Sequence, residues 1–313
     1  MNIGFIGAGK VGFSLGKYFS AHNLPVAGYY SRTPESARQA ALFTGTNAYD
    51  SQDKLLEDCD AVFFTVPDGC IAVAYAALPK EKIRSKILCH CSGALSAEEA
   101  FPGCEDVGAF GYSIHPLFAF SDKYHAYEEL ADVFFAVEGH PARLTEITKM
   151  LKDLGNLVVS LDSRKKAGYH AAAAIASNHV VALIDESIEI LTDCGFTPEQ
   201  ARKALGPIML GNLAHVAQDG PVDSLTGPVE RCDVSTVRKH LQYLQDPDDK
   251  ELYRLLSKRL VRIAKRKHPE IDFQSMMAAL TGEKEKRRTY EKHNSDFPEN
   301  EAGRHTDFYV DRL

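Results

Sequence analysis

Two hydrophobic periods alternate along the first half of the chain. Residues 2–6 form a short apolar run, and residues 10–21 repeat apolar side chains at helical spacing through Val11, Leu15, Tyr18 and Phe19. Residues 25–30 read as a second strand, and 34–43 as a helix with Pro34 in its first turn. Residues 61–66 are continuously apolar, the mark of a strand buried on both faces, and 86–91 repeat it. A helix is expected over 68–78 and another over 142–154, where Gly155 stops it. Further strands are expected over 107–114, 133–137 and 157–161. Strands alternating with helices imply a mostly parallel sheet covered on both faces. Near Asp162 the pattern changes. Helical stretches follow at 165–194, 198–218, 235–244, 248–266 and 271–280, punctuated by Gly195, Gly220-Pro221, Asp246-Pro247 and Pro269. Beyond 283 both charges mix with few aliphatics, so the tail is expected to be an exposed, charged arm.

Between the first strand and the first helix lies Gly7-Ala8-Gly9-Lys10-Val11-Gly12. It matches G-x-G-x-x-G in the strand–turn–helix setting that a dinucleotide site requires. Gly7 would allow the tight turn, Gly9 would let a pyrophosphate approach the backbone, and Gly12 would let helix pack on strand. The second strand ends at Tyr30-Ser31-Arg32-Thr33, with no carboxylate for a ribose 2′-hydroxyl. Ser31, Arg32 and Thr33 instead suit a 2′-phosphate, so NADP is expected over NAD. Thr65, Val66 and Pro67, with Ser92 and Gly93, follow strands whose ends line the crevice and are candidate walls around ribose and nicotinamide. The chain therefore reads as α/β: a doubly wound, NADP-binding Rossmann domain over 1–162, an all-helical substrate and dimerisation domain over 163–282, and the tail 283–313.

Composition narrows the partners. A net charge of -7, from 36 basic and 43 acidic groups, argues against nucleic acid, which usually needs a basic face. No apolar run reaches the roughly 18 residues of a membrane span, and residues 1–6 carry no basic leader, so neither membrane nor export signal is expected. The seven cysteines are odd in number and irregular in spacing, which fits reduced thiols in a cytoplasm. A metal set drawn from Cys89, His90, Cys91, Cys104 and His115 has no supporting ligand motif, and no metal is expected. The basic run Lys258 to Lys267 reads as a solvated helix face.

The chain resembles the Rossmann-like proteins that carry a C-terminal domain of unknown function 2520. These are similar to the 6-phosphogluconate and β-hydroxyacid dehydrogenases and to ketopantoate and pyrroline-carboxylate reductases. The resemblance covers residues 1 to about 280. It rests on Gly7–Gly12, Thr65-Val66-Pro67-Asp68, His90-Cys91-Ser92-Gly93-Ala94-Leu95, His115-Pro116-Leu117, Tyr169-His170-Ala171-Ala172 with Ser177-Asn178, and Thr226-Gly227-Pro228 followed by Arg231 and Asp233. It departs from the family pattern at Cys232, where glycine is usual. It implies an NADP-dependent oxidoreductase fold and a homodimer through the helical domain, and leaves the substrate open.

In the related dehydrogenases a lysine and an asparagine on the first helix of the second domain manage the proton. Here no lysine lies in the middle of the corresponding stretch, 164–191. His170, Ala174, Ser177 and Asn178 would instead share one face of a continuous helix. His170 is the candidate acid, with Ser177 and Asn178 beside it as orienting groups; His115 and His90 are its rivals. His115, Thr226 and Arg231 are candidate substrate contacts, Arg231 as a forked partner for a carboxylate, while Asp233 reads as a helix cap. The expected reaction is hydride transfer to a small anionic ketone or imine, ketopantoate-like chemistry included. The competing reading is a non-catalytic NADP-binding protein that answers to redox state or binds a partner.

Overall fold

The computed structural model describes residues 1–282, so the expected arm at 283–313 lies outside the described residues. The chain forms two compact units, Met1–Asp185 and a second beginning at Glu186. In the first, β1 (Ile3–Ile6), α1 (Lys10–Ala21), β2 (Val26–Tyr30) and α2 (Pro34–Thr44) follow the expected alternation. Next come β3 (Asn47–Tyr49), α3 (Gln52–Asp58), β4 (Ala61–Phe64), α4 (Asp68–Ala76), α5 (Lys80–Ile83), β5 (Ile87–His90) and α6 (Ala97–Ala100). Then β6 (Phe110–Pro116), β7 (Phe134–Gly139), α7 (Pro141–Asp153), β8 (Leu157–Ser160) and α8 (Lys166–Ala176) complete it, with α9 (Asn178–Asp193) straddling the boundary.

One eight-stranded sheet runs in the order β3-β2-β1-β4-β5-β6-β7-β8. All neighbours are parallel except β6 and β7. The apolar runs are continuous because both faces are buried. Along β4, Ala61 and Phe63 join one core layer while Val62 and Phe64 join the other. Side chains of α1, α2 and α7 fill the first layer, and those of α3, α4 and α5 the second. The strand order reverses between β1 and β4, which opens a crevice at their C-terminal ends.

In the second unit, α10 (Pro198–Ser224), α11 (Val234–Tyr243), α12 (Pro247–Lys267) and α13 (Gln274–Thr281) follow α9. Val237, Val261, Ala264, Phe273, Met276 and Leu280 close its core. No strand interrupts the helices from α8 onward among the described residues.

Two features near the start of α8 and α9 differ from the sequence expectation. The single helix over 165–194 breaks at Ser177, whose φ of -122° and ψ of -76° leave the helical region. Its hydroxyl turns back to the Ala173 carbonyl at 2.8 Å, a bond that competes with the helical ladder. The first unit also extends past Asp162 to take in α8, whose start is tied to the sheet through Lys166.

Candidate active site

A groove of about 510 Å³ lies over the crevice, lined by the glycine turn, the end of β2, the start of α2 and residues 65–67. Gly7 sits at φ +109°, and a Cβ there would meet the Thr65 carbonyl oxygen at 2.6 Å. At Gly12 a Cβ would meet Thr65 Oγ1 at 2.5 Å, so this glycine serves helix-to-strand packing. Gly9 is different. A Cβ there would have only the Thr65 oxygen nearby, at 3.9 Å, so the protein itself leaves room for a side chain. Its absence makes sense for a ligand that must touch backbone. Gly9 is also the N-cap of α1, with no side-chain cap and no acidic residue in the first turn. The free N–H groups and positive helix end suit a pyrophosphate, so the residues present fit a dinucleotide.

The groove brings together Gly7, Ala8, Gly9, Ser31, Arg32, Thr33, Thr65, Val66 and Pro67. Arg32 and Thr33 are exposed there. Thr33 caps α2 through backbone geometry alone, making no side-chain cap bond. Lys10, Val11 and Gly12 lie in the first turn of α1 and do not line the groove. Thr65 also holds the turn by donating its hydroxyl to the Gly7 carbonyl at 2.8 Å.

Beyond β5 the loop residue Ser92 is engaged within the protein. Its hydroxyl donates to Asp68 Oδ2 at 2.6 Å and accepts from the Ala94 and Leu95 N–H groups. Gly93 follows, and two imidazoles close over it. A Cβ at Gly93 would lie 2.5 Å from His170 Nδ1 and 2.8 Å from His115 Nε2, so only glycine admits both rings. His115 comes from β6 and His170 from α8. The ring centroids are 6.2 Å apart and nearly perpendicular. His115 Nδ1 pairs with the Tyr169 hydroxyl at 2.7 Å. Burial, then the charge of Lys166, then His170 push the His115 imidazole down to about 4, so it is neutral at pH 7. Burial keeps the Tyr169 hydroxyl protonated above its ordinary range.

The other sequence candidates are placed elsewhere. Ser177 and Asn178 sit at the helix break, bonded to each other at 3.2 Å. The shared face with His170, which needed an unbroken helix, is therefore not formed. His90 is fully buried, edge-on to Phe101, and accepts the Ser92 N–H at 3.2 Å. Burial first, and Lys166 second, push it down to about 3, and it shapes the Ser92 turn. Thr226 and Arg231 are exposed in the second unit. Asp233 caps α11, accepting from the Thr236 N–H at 3.1 Å. Cys232 holds φ +56°, the left-handed region that favours the glycine usual in the family. Cys89 faces one core layer and Cys104 the other. Among the described residues no three His, Cys, Asp or Glu groups are placed to hold a metal. Nor is any described helix long and apolar enough to cross a membrane.

Two residues beside the histidines take roles that the sequence does not assign. Tyr169 orients His115, and Lys166 lies buried one turn before His170. Their spacings of one and four residues from His170 were the available signal.

The sheet order, the crevice and the glycine cradle define a Rossmann-type dinucleotide-binding protein. Two family models match it. Residues 2–92 match the model described as NADP oxidoreductase, coenzyme F420-dependent, and residues 133–260 match the domain of unknown function DUF2520. The N-terminal part of the chain is thus similar to NADP oxidoreductases and residues 133–260 to DUF2520, in agreement with the resemblance carried by the sequence motifs. A protein of known structure from Thermotoga maritima (TM1727) is 27% identical, with 85% of this chain and 99% of that chain covered and a TM-score of 0.69. A Bacteroides fragilis protein (BF3122), described as an NADP oxidoreductase, is 22% identical over 83% of this chain and 98% of its own, with a TM-score of 0.61. Pyrroline carboxylate reductase from Plasmodium falciparum, solved with NADP bound, is 13% identical over 84% and 98%, with a TM-score of 0.54. The last two share the fold. No curated protein matches the chain significantly.

Proposed function

We propose that the chain is an NADP-dependent oxidoreductase that transfers hydride to a small carboxylate-bearing ketone or imine. The observation that carries this reading is the convergence of His115 Nε2 and His170 Nδ1 over Gly93, in the same unit as the glycine cradle. NADP is favoured over NAD because Ser31, Arg32, Thr33 and Ser36 line the groove where a ribose-binding carboxylate would otherwise stand. The same fold is found with NADP in pyrroline carboxylate reductase.

Bound NADPH would supply the hydride. The chain's own groups do the rest. The glycine turn at Gly7–Gly9, at the N-terminal end of α1, would hold the pyrophosphate, and Arg32 with the hydroxyls of Ser31 and Thr33 would hold the 2′-phosphate. His170, exposed, gives its proton to the developing alkoxide or amine. In the tautomer we assign, the Tyr169 hydroxyl donates to His115 Nδ1 and leaves an N–H at Nε2. Being neutral, His115 serves as a fixed hydrogen-bond donor rather than a second acid.

A second copy of this chain is the expected partner. Helix α9 buries no residue and α10 only Ala201, while Ile208, Leu210, Leu213 and Val216 stand 43 to 71% exposed. A run of this kind on one helix suits an interface, and light scattering should report twice the chain mass of 34.5 kDa. All seven cysteines are free, which suits a reducing compartment such as the cytoplasm. NADPH consumption across a panel of 2-keto acids and cyclic imines tests the main reading. Turnover of at least one is expected. Tight NADPH binding with no turnover would instead make the chain a cofactor-binding protein.

A further inference from the structure

Helix α8 is anchored by a charge. Among its residues Lys166 alone is fully buried, at 2% exposure. Its Nζ donates to the Ser92 carbonyl at 3.1 Å and to the Ser113 hydroxyl at 2.5 Å. That hydroxyl donates to the same carbonyl at 3.3 Å. Glu138 Oε1, from β7, lies 4.0 Å from Nζ and accepts the Ala97 N–H at 2.7 Å. A buried ammonium is unfavourable unless paired, and an apolar side chain would close the same space without that cost. What an apolar side chain could not do is grip a carbonyl and a hydroxyl at fixed points.

Those points matter because of what lies next to them. Lys166, Tyr169 and His170 fall within one turn of α8, at spacings that put them on one side of the helix. Ser92 immediately precedes Gly93, over which His115 and His170 meet. Lys166 therefore joins the helix that carries one histidine to the loop on which both converge. Two of its hydrogens are directed to protein acceptors.

We propose that Lys166 is a positioning residue: through the Ser92 carbonyl and the Ser113 hydroxyl it holds the first turn of α8 against the Ser92–Gly93 loop and so keeps His115 and His170 converged on Gly93. The proposal rests on reading that pair as the proton-handling end of the site. The charge of Lys166 is faced by Glu138 from β7, Asp68 from α4, Cys91 after β5 and Glu99 from α6. It acts as a like charge on His90 of β5 and His115 of β6 when either takes a proton.

The full-length chain and its Lys166→Met, Lys166→Arg and Ser113→Ala variants test this. Imidazole NMR follows the titration of His115, fluorescence follows NADPH binding, and NADPH oxidation follows turnover. In Lys166→Met, His115 should titrate about one pH unit higher and turnover should fall about 10²-fold, the cost of a displacement near 1 Å. NADPH affinity should stay within about threefold, because the glycine cradle is untouched, and Lys166→Arg should restore at least about a tenth of the rate. Should Lys166→Met not fold, Ser113→Ala carries the test, with a smaller fall in turnover and NADPH affinity likewise kept. A His115 titration and turnover equal to wild type in the folded variants would overturn the proposal. So would a parallel collapse of NADPH affinity and turnover, which marks a merely structural role. If the wild-type chain turns over no substrate, the reading of the site fails, while NMR contacts between the His115 and His170 rings, kept in Lys166→Arg and lost in Lys166→Met, still decide the role of Lys166.

Discussion

Replacing Gly93 by alanine probes the site at its narrowest point. The added methyl would lie 2.5 Å from His170 Nδ1 and 2.8 Å from His115 Nε2, where ordinary contact begins near 3.4 Å. One or both rings must therefore move by something approaching 1 Å. His170 is exposed and can swing outward at little cost to the fold. His115 is held at Nδ1 by the Tyr169 hydroxyl, so its displacement stretches a bond of about 1 kcal/mol. The expected loss of stability is about 1–2 kcal/mol, the range of mild overpacking. The expected loss of activity is larger. A misplacement of about 1 Å costs about 10²-fold, or about 2.7 kcal/mol in the barrier. The assay pairs calorimetric melting with kcat/KM for NADPH oxidation on the best substrate of the panel. A Gly93→Ala chain that melts within a few degrees of wild type and keeps its full kcat/KM would refute the reasoning, because the rings would then have no catalytic need to meet.

Three other outcomes follow from the geometry. Arg32→Ala should weaken NADP binding about 10–100-fold while changing NAD binding little, since a charge-assisted bond to a 2′-phosphate is lost; equal losses in titrations of the two cofactors would contradict the NADP assignment. Cys232→Gly should raise stability by about 0.5–1 kcal/mol, seen as a higher melting temperature, because the left-handed φ of +56° strains any side chain. Finally, His90 and His115 are held near 3 and 4 against an ordinary 6.5, so the unfolded chain takes up protons that the folded chain refuses. Stability is then full above about pH 6.5 and falls as pH drops through the window toward 4, by about 1.4 kcal/mol per pH unit for each histidine. Urea midpoints at pH 7.5 and 5 check this, and His115→Gln should flatten the slope.

The parts of the fold legible in the sequence are those that local rules determine. The run at 2–6, the glycine turn and the first helix were readable because strand burial, turn geometry and helical period all act within a few residues. The strand Asn47–Tyr49 was not, since it is a short edge piece with no fully buried side chain to mark it. The break at Ser177 carries no glycine or proline, and its cause, a hydroxyl bonded to the Ala173 carbonyl, looks like helix in a period count. The cofactor groove was readable because its glycines and the 31–33 segment sit in fixed relation to two strands. The catalytic end was only half readable. His170 and His115 each stood out, but their meeting over Gly93 depends on how β6, α8 and the β5 loop pack. Lys166 was overlooked because a lysine in a basic run reads as surface, and only Ser92, Ser113 and Glu138, remote in sequence, make its burial possible.

The central claim is that this chain reduces its substrate with a proton from His170. The direct measurement compares wild type and His170→Ala for NADPH oxidation on the best 2-keto acid or cyclic imine, with NADPH affinity measured separately. Turnover should fall roughly 10²–10⁴-fold in His170→Ala with unchanged NADPH affinity. Undiminished turnover in His170→Ala would contradict that claim.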